Sequence, residues 1–190
     1  MVAFEDHTLD QYVACPVIKL LMARLGRPRT EVRPITNPRL HGVENLMSQI
    51  CEILERYGAV ADLVIFVVDG DCQDGRDGKL DRLSKMRRLI DACQSYPEKG
   101  VAVVARQELE VWALWGSRSA LPAGWAKVTQ ECHPKERFFE QLTAAADRRV
   151  PGYGRQRLTA LSVAEGWDSL SGGCPELKEL EVAVRAKLSL

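Results

Sequence analysis

Apolar residues follow two spacings that alternate along the chain as far as about residue 120. One is a short apolar run, typical of a β-strand, and the other is the three- and four-residue spacing of an amphipathic helix. The runs that predict strands are 2–5, 31–35, 63–68 and 101–105. The segments with helical spacing are 9–25, 43–58, about 79–94 and 109–115. This alternation predicts an α/β fold with a mostly parallel central sheet and helices on both faces.

The pattern changes after Pro122, where no comparable strand-like run follows. Segments 134–146 and 175–188 have helical spacing, and a polar stretch at 152–157 joins them. The length of 190 residues matches one domain of the usual size, about 100–200 residues. We therefore predict a single domain over 1–190, with an α/β core at 1–120 and a mainly helical extension at 121–190.

The longest apolar run, Leu63 to Val68, stops at Asp69-Gly70-Asp71. Ligands of open α/β sheets bind at the carboxyl ends of strands, and alternating side chains at such an end can converge on one point. Gly70 would permit the tight turn. Two carboxylates suit Mg²⁺ or Mn²⁺, because hard cations prefer oxygen ligands. The alternative interpretation is a solvated acidic turn, a role in which Asp and Gly are common.

The rest of this loop carries Asp74 and Asp77, which we predict to be solvated. A calcium-binding EF-hand that began at Asp69 would require glycine at position 74 and glutamate at position 80. The chain has Asp74 and Leu80 at those positions. The spacing therefore excludes an EF-hand.

Two further acidic positions belong to the predicted carboxyl edge of the sheet. Glu5 ends the first strand, and if that strand neighbours 63–68, Glu5 faces the aspartates and could hold a second metal ion or transfer protons. Glu108 and Glu110 open the helix after the fourth strand, where the helix dipole favours carboxylates. Glu108 is also a candidate metal or positioning ligand, because this turn lies at a strand's carboxyl end.

Charge restricts any nucleic-acid contact to a local patch, because 26 Lys and Arg residues balance 26 Asp and Glu residues. The stretch 19–39 is locally basic, and a second basic group lies near Tyr153. Solvated surface explains most such clusters, and phosphate contact is the other interpretation. Lys135 follows Pro134 at a helix start and is a further candidate, with His133 a weaker candidate as metal ligand or general base. The candidate phosphate contacts are Arg27, Arg29, Arg155 and Arg157.

Targeting and redox features are sparse. No apolar run approaches the ~20 residues that span a bilayer, and no signal-peptide pattern opens the sequence. We therefore expect a cytoplasmic protein without a membrane partner.

Six cysteines occur without a Cys-x-x-Cys pair, which predicts reduced thiols that lie mostly in the core. The sequence does not predict an oligomeric state.

A Glu after a short first strand and an Asp-x-Asp after a later buried strand resemble the Toprim fold of topoisomerases, primases and OLD-type nucleases. More narrowly, the chain resembles the DUF4276 family of small Toprim-like proteins found in bacterial defence loci beside ATPases. That family typically has glycine after the first glutamate, where this chain has Asp6. The matching segments are Phe4-Glu5-Asp6, Val67-Val68-Asp69-Gly70-Asp71, Gln107-Glu108-Leu109-Glu110-Val111-Trp112, His133-Pro134-Lys135-Glu136, Gly152-Tyr153-Gly154-Arg155 and Cys174-Pro175.

The resemblance implies that Glu5 is a metal ligand or general acid/base, that Asp69 and Asp71 hold Mg²⁺, and that Glu108 and Lys135 are secondary catalytic residues. It also implies a metal-dependent nuclease acting on DNA or RNA, with a role in antiviral defence. The chain contains no G-x-x-x-x-G-K-[ST] motif, so an ATPase would be a separate partner.

Two other functions are compatible with the same residues. One is a non-catalytic Toprim-like subunit that binds an ATPase partner or nucleic acid. The other is a flavodoxin-like or receiver-like signalling domain, which Glu5, Asp6 and Asp69 match only loosely. A receiver needs an acidic pair after its first strand and a phospho-acceptor aspartate after its third, and it generally ends without a helical extension of this kind.

Overall fold

A parallel three-stranded sheet organises the part of the chain that the computed structural model describes, residues 1–71, 81–94, 96 and 98–190. Its strands lie in the order β1-β2-β3. They are β1 (Val2–Phe4), β2 (Val64–Val68) and β3 (Gly100–Val104). Phe4 lies opposite Val67, and Val67 lies opposite Val103. The predicted parallel sheet is therefore confirmed, and the first strand pairs with the Leu63–Val68 run, which the sequence left open.

Helices fill most of the remaining described chain. They are α1 (Gln11–Arg24), α2 (Val43–Gly58), α3 (Arg82–Cys93), α4 (Glu110–Leu114), α5 (Trp125–Val128), α6 (Glu140–Leu142), α7 (Arg155–Ala164), α8 (Trp167–Gly173) and α9 (Glu176–Leu188). Two 3₁₀ turns, Trp115–Ala120 and Asp147–Arg149, and a π-helical turn, Lys135–Phe139, complete them. Within the described ranges, no helix is long and apolar enough to cross a bilayer.

Both faces of the sheet are covered, as the unbroken apolar run of β2 predicts. Ile65 and Val67 point into a core shared with α1, α4 and the carboxyl-terminal helices. Val64, Phe66 and Val68 point into a second core built with α2 and α3. Because successive residues of a strand face opposite sides, every residue of β2 is buried.

The segment 31–35 is not a strand, although its apolar pattern predicts one. It lies parallel to β1 and makes a single bridge, Val2 to Pro34. The Val2 N–H donates to the Arg33 carbonyl at 2.9 Å, and the Ile35 N–H donates to the Val2 carbonyl at 2.7 Å. Pro34 has no N–H with which to extend a ladder. The segment therefore flanks β1 without becoming a full strand.

The carboxyl-terminal region contains more helix than the spacing predicts. The polar stretch that we expected at 152–157 includes the first turn of α7, whose buried positions are Arg155, Leu158, Thr159 and Ser162. Three of these four residues are polar, so the helix carries no apolar stripe that sequence spacing could reveal. The helix predicted over 134–146 is shorter, and α6 ends at Leu142.

These helices form part of the main core and complete one face of the sheet. Leu158 of α7 and Leu177 of α9 belong to the same apolar cluster as Val67. α7 also packs closely on the turn after α4, where the Gly116 N–H donates to Ser162 Oγ at 2.8 Å. The Ser162 hydroxyl in turn donates to the Ala113 carbonyl at 2.9 Å.

The cysteines depart from the prediction at one position. Cys15, Cys51, Cys93 and Cys174 are free thiols, and the last two are buried. Cys132 is disulfide-bonded, so the expectation of six reduced thiols is wrong there. Cys72, the acidic residues Asp74 and Asp77, and the predicted helix start near residue 79 lie outside the described residues.

We expect Gly116→Ala to destabilise the fold, because a Cβ there would lie 2.3 Å from the Leu161 carbonyl carbon. Overpacking of this kind costs about 1–3 kcal/mol, which lowers the melting temperature by several degrees. Gly172→Ala is the matched control, since no atom lies within 4 Å of its Cβ and alanine favours a helix. Equal melting temperatures for the two variants would contradict the close packing of α7.

Candidate functional site

The carboxyl edge of the sheet brings two of the predicted site residues together. Because β1 and β2 are parallel and in register at Phe4 and Val67, Glu5 lies beside the end of β2. The Asp69 N–H donates to Glu5 Oε1 at 3.0 Å. The structure therefore places Glu5 in direct contact with the segment that bears the Asp-x-Asp pair.

The turn at Asp69-Gly70-Asp71 packs tightly on the loop that follows β3. The N–H groups of Gly70 and Asp71 both donate to the Gln107 carbonyl, at 2.6 and 3.1 Å. A Cβ at Gly70 would lie 2.2 Å from the Ala105 carbonyl oxygen, which explains why glycine is needed there. The left-handed residue of the turn is Asp71, with φ of 53°. Glycine is therefore needed at position 70 because the turn lies against the backbone of Ala105 and Arg106, and not because of a left-handed conformation.

Asp71 contacts a lysine that the sequence analysis missed. Lys85 of α3 is fully buried, and its Nζ lies 2.5 Å from Asp71 Oδ2 and 2.8 Å from the Asp69 carbonyl oxygen. It occupies one buried stripe of α3 with Leu89 and Cys93. The sequence did contain a signal for this contact, namely a lysine at a helix position that is otherwise apolar. Lysine is rarely fully buried without a partner, so a buried acidic partner could have been expected.

The Asp69 side chain lies among other carboxyl groups. Its Oδ1 accepts the Leu109 N–H at 2.8 Å. Burial raises the pKa of Asp69 well above its ordinary value, and repulsion from Asp10, Glu110 and Glu5 raises it further. We call these four residues, Glu5, Asp10, Asp69 and Glu110, the acidic edge.

Asp10 is a second residue that the sequence analysis missed. It immediately precedes α1, but its side chain does not cap that helix. Instead, Oδ2 accepts the Asp6 N–H at 3.0 Å. Burial raises the pKa of Asp10 to about 7, and repulsion from Glu110, Asp6 and Glu5 contributes. An Asp before a helix suggests a helix cap, so the spacing of the sequence gave no sign that Asp10 lies among the carboxyl groups of the acidic edge.

Glu110 belongs to the acidic edge, whereas its sequence position suggested only a favourable helix dipole. It is buried and forms an ion pair with Arg155, which is 4% exposed. The Arg155 guanidinium also lies over the Phe139 ring, 5.3 Å from the ring centre. The predicted phosphate contact Arg155 is therefore already paired with a carboxylate of the acidic edge.

Glu108 lies at a neighbouring cluster. Its Oε2 accepts the Lys135 N–H at 2.8 Å, so the contact with Lys135 is made by the backbone. Burial raises the pKa of Glu108 to about 7, and nearby Glu110 and Glu136 contribute. Possible ligand atoms of Glu108, His133 and Glu136 lie within 4.8 Å of one another. Carboxylate and imidazole ligands of this kind are compatible with a divalent cation.

The other predicted phosphate contacts lie elsewhere. Arg27 and Arg29 line a cavity of about 430 Å³ together with Met1 and Leu63, which are at the amino ends of β1 and β2. This is the end of the sheet opposite Glu5 and Asp69. Arg157 binds Asp147 through both Nε and Nη2, at 2.7 to 3.2 Å. The structure brings neither group to the acidic edge.

No protein-family model, curated protein or solved structure matches this chain. These comparisons therefore add no support to the Toprim-like resemblance, which depends on the short sequence segments alone. The parallel α/β architecture and the contact of Glu5 with Asp69 are properties of the structure itself.

The raised pKa values predict that the fold loses stability as the pH rises from about 4 to about 7. A carboxyl group with a raised pKa in the folded state holds its proton while the unfolded chain releases it, so stability falls across that interval. We expect Asp10→Asn to raise the melting temperature at about pH 8 relative to the native chain, and to have a smaller effect at about pH 5.

Asp91→Asn, an exposed change on α3, is the control for this comparison. Carboxyl groups whose pKa is lowered, such as Asp147 and Glu181, lose their contribution at more acidic pH and do not obscure this interval. Thermal unfolding across the pH range checks the prediction. A melting temperature for Asp10→Asn below that of the native chain at about pH 8 would show that the Asp10 carboxylate is stabilising.

Proposed function

We propose that this chain is a Mg²⁺- or Mn²⁺-dependent phosphoryl-transfer enzyme, and specifically a nuclease that hydrolyses phosphodiester bonds of DNA or RNA. The observation that carries the proposal is the Asp69 carboxyl group, which is half-buried and repelled by Asp10, Glu110 and Glu5. Such a concentration of carboxyl groups at the carboxyl edge of a parallel sheet is costly without a cation, and enzymes concentrate such groups at active sites.

The donor chemistry of the acidic edge fits a hard divalent cation. Its possible ligands are all carboxylate oxygens, which Mg²⁺ prefers, and Mg²⁺ usually takes only one or two protein carboxylates besides water and phosphate. Asp69 and Glu5 would hold the ion, with Asp10 beside them and Asp71 sharing its carboxylate with Lys85. Such an ion supplies a polarised phosphoryl oxygen and a water of lowered pKa.

The remaining residues have roles that follow from their contacts. Lys85 and Arg155, whose side chains are buried, fix the positions of Asp71 and Glu110 through ion pairs. Glu108 has a pKa of about 7 and is half-buried at the start of the same turn as Leu109, whose N–H binds Asp69. A carboxyl group that exchanges its proton near neutral pH is suited to general acid or base work.

The fold gives this proposal further support. The strands lie in the order β1-β2-β3, so β1 and β2 are neighbours. The glutamate therefore follows the strand that neighbours the one bearing Asp-x-Asp, which is the arrangement that the Toprim resemblance expects. From the same resemblance, we propose nucleic acid as substrate and a separate ATPase as partner in antiviral defence.

A second candidate function is a non-catalytic subunit that binds an ATPase or nucleic acid. The observation that favours it is that two carboxylates of this region already form ion pairs with basic side chains of the protein. The buried cation of Lys85 pairs with Asp71, and that of Arg155 pairs with Glu110. A site whose carboxylates are partly balanced by protein cations has less need of a metal ion.

Cleavage assays distinguish these two functions. The substrates are supercoiled plasmid, single-stranded DNA and structured RNA, each with Mg²⁺, Mn²⁺ or EDTA. We expect metal-dependent cleavage of at least one substrate by the native chain and a loss of about 100-fold or more in Asp69→Asn. Residues that merely orient metal ligands already cost about 10–100-fold when changed, and a ligand should cost at least as much.

Asp91→Asn, which is exposed and remote from the acidic edge, is the matched control and should cleave as the native chain does. Thermal unfolding with and without Mg²⁺ provides a readout independent of cleavage, since a bound ion stabilises the folded state. The absence of both cleavage and stabilisation by Mg²⁺ would favour the non-catalytic subunit, whose carboxylates are already partly balanced by Lys85 and Arg155. Cleavage by Asp69→Asn at the native rate would refute the proposed site.

A further inference from the structure

A small cavity beside the acidic edge is lined by cationic and aromatic side chains. Its volume is about 280 Å³, and its lining includes Lys135, Arg148, Arg155, Tyr153 and one acidic residue, Glu140. Ligand-binding cavities in proteins usually measure about 300–1,000 Å³. Because its volume lies slightly below that range, this cavity has room only for a small group, such as a phosphate with part of a nucleotide.

Three chain segments connect this cavity to the acidic edge. Leu9, which lines the cavity, precedes Asp10. Arg155 forms the ion pair with Glu110. The Lys135 N–H donates to Glu108, which is two residues from Glu110. A ligand in the cavity would therefore lie next to the carboxylates proposed to hold the metal ion.

The cavity has the chemistry of an anion site. Arg155 is 4% exposed, and its Nε has no hydrogen-bond partner among the residues that the structure describes. The same residue begins the ten-residue helix α7, whose amino end carries a partial positive charge. Arg148 is exposed and forms no salt bridge with any described residue. Glu110, which pairs with Arg155, and Glu140, which lines the cavity, offset part of this charge. Glu108 lies near the Lys135 charge and offsets part of it as well, so the positive charge of the cavity rests mainly on Arg148.

Tyr153 adds an aromatic surface at the rim of the cavity. The residue is 54% exposed. The residue has a left-handed backbone, with φ of 48°, between Gly152 and Gly154, which also have positive φ. Non-glycine residues in this conformation are uncommon and concentrate at ligand-binding sites.

We propose that this cavity binds a phosphate of a single-stranded nucleic acid, with Arg148, Lys135 and the Arg155 Nε–H on the phosphate and an adjacent base stacked on Tyr153. Bases of a single strand are free to stack on aromatic side chains, whereas those of a duplex are already stacked on one another. The inference rests on the proposed nuclease function and specifies its substrate class, namely single-stranded DNA or RNA.

Fluorescence anisotropy in EDTA tests this inference without cleavage. The probes are a labelled single-stranded DNA, the matching RNA and the corresponding duplex, each of about 12 nucleotides or base pairs, within the usual site size. We expect the single strands to bind more tightly than the duplex. Tyr153→Ala should weaken single-strand binding by about tenfold, whereas Tyr153→Phe should bind nearly as the native chain does, because the stacking surface remains.

Arg148→Ala should weaken binding several-fold and reduce the slope of log affinity against log salt by about 0.7. Arg149→Ala, the exposed neighbour that does not line the cavity, is the matched control and should retain the native slope. The inference is wrong if the duplex binds as tightly as the single strands, if no probe binds, or if Tyr153→Ala and Arg148→Ala bind as the native chain does. Equal losses in Arg148→Ala and Arg149→Ala would also overturn it, since they indicate diffuse surface charge.

Asp69→Asn separates this inference from the proposed catalysis. In EDTA this variant should bind single strands as the native chain does, because Asp69 does not line the cavity. If it binds normally and also cleaves normally, the proposed metal site fails while the cavity stands. If the native chain cleaves only with metal but the Tyr153 and Arg148 variants bind normally, the cavity fails while the proposed function stands.

Discussion

The electrostatic cost of gathering carboxyl groups at one end of a buried strand governs this part of the molecule. Asp69 follows a strand that is buried on both faces, and parallel pairing with β1 brings Glu5 to the same edge. Asp10, immediately before α1, and Glu110, the first residue of α4, complete the group. Charged groups in such surroundings must be protonated, paired with protein cations or bound to an external cation. Each of these states has a different consequence for function.

The fold pairs some of these carboxyl groups and leaves the pKa of others raised. Lys85 contacts Asp71, and Arg155 contacts Glu110, in ion pairs whose cations are almost completely buried. The pKa values of Asp69 and Asp10 remain raised, because burial and repulsion from neighbouring carboxylates outweigh the hydrogen bonds that favour their charged forms. An ion bound at Asp69 would lower both pKa values and remove that repulsion. The partial neutralisation is therefore compatible with the cation that we propose to bind where the sheet ends.

The sequence predicted the features that follow from apolar periodicity and strand ends. The β2 run and the two-sided burial of the sheet follow from such patterns, whereas the position of Glu5 beside Asp69 depended on a strand order that the sequence left open. It did not predict Lys85 and Asp10, because their roles arise from tertiary packing of polar groups that local spacing cannot distinguish from surface or capping residues. α7 was missed for the same reason, since its buried face is mostly polar. At 31–35, Pro34 prevents the ladder that the apolar pattern suggests.

The most direct test of the account is the position of a bound metal ion. Mn²⁺ soaked into crystals of the native chain can be located by its anomalous scattering. We expect a single strong peak at coordination distance, about 2.1 Å, from the Asp69 carboxylate and close to Glu5. Absence of a peak there, or a peak confined to the cluster of Glu108, His133 and Glu136, would contradict the assignment of the acidic edge as the metal site.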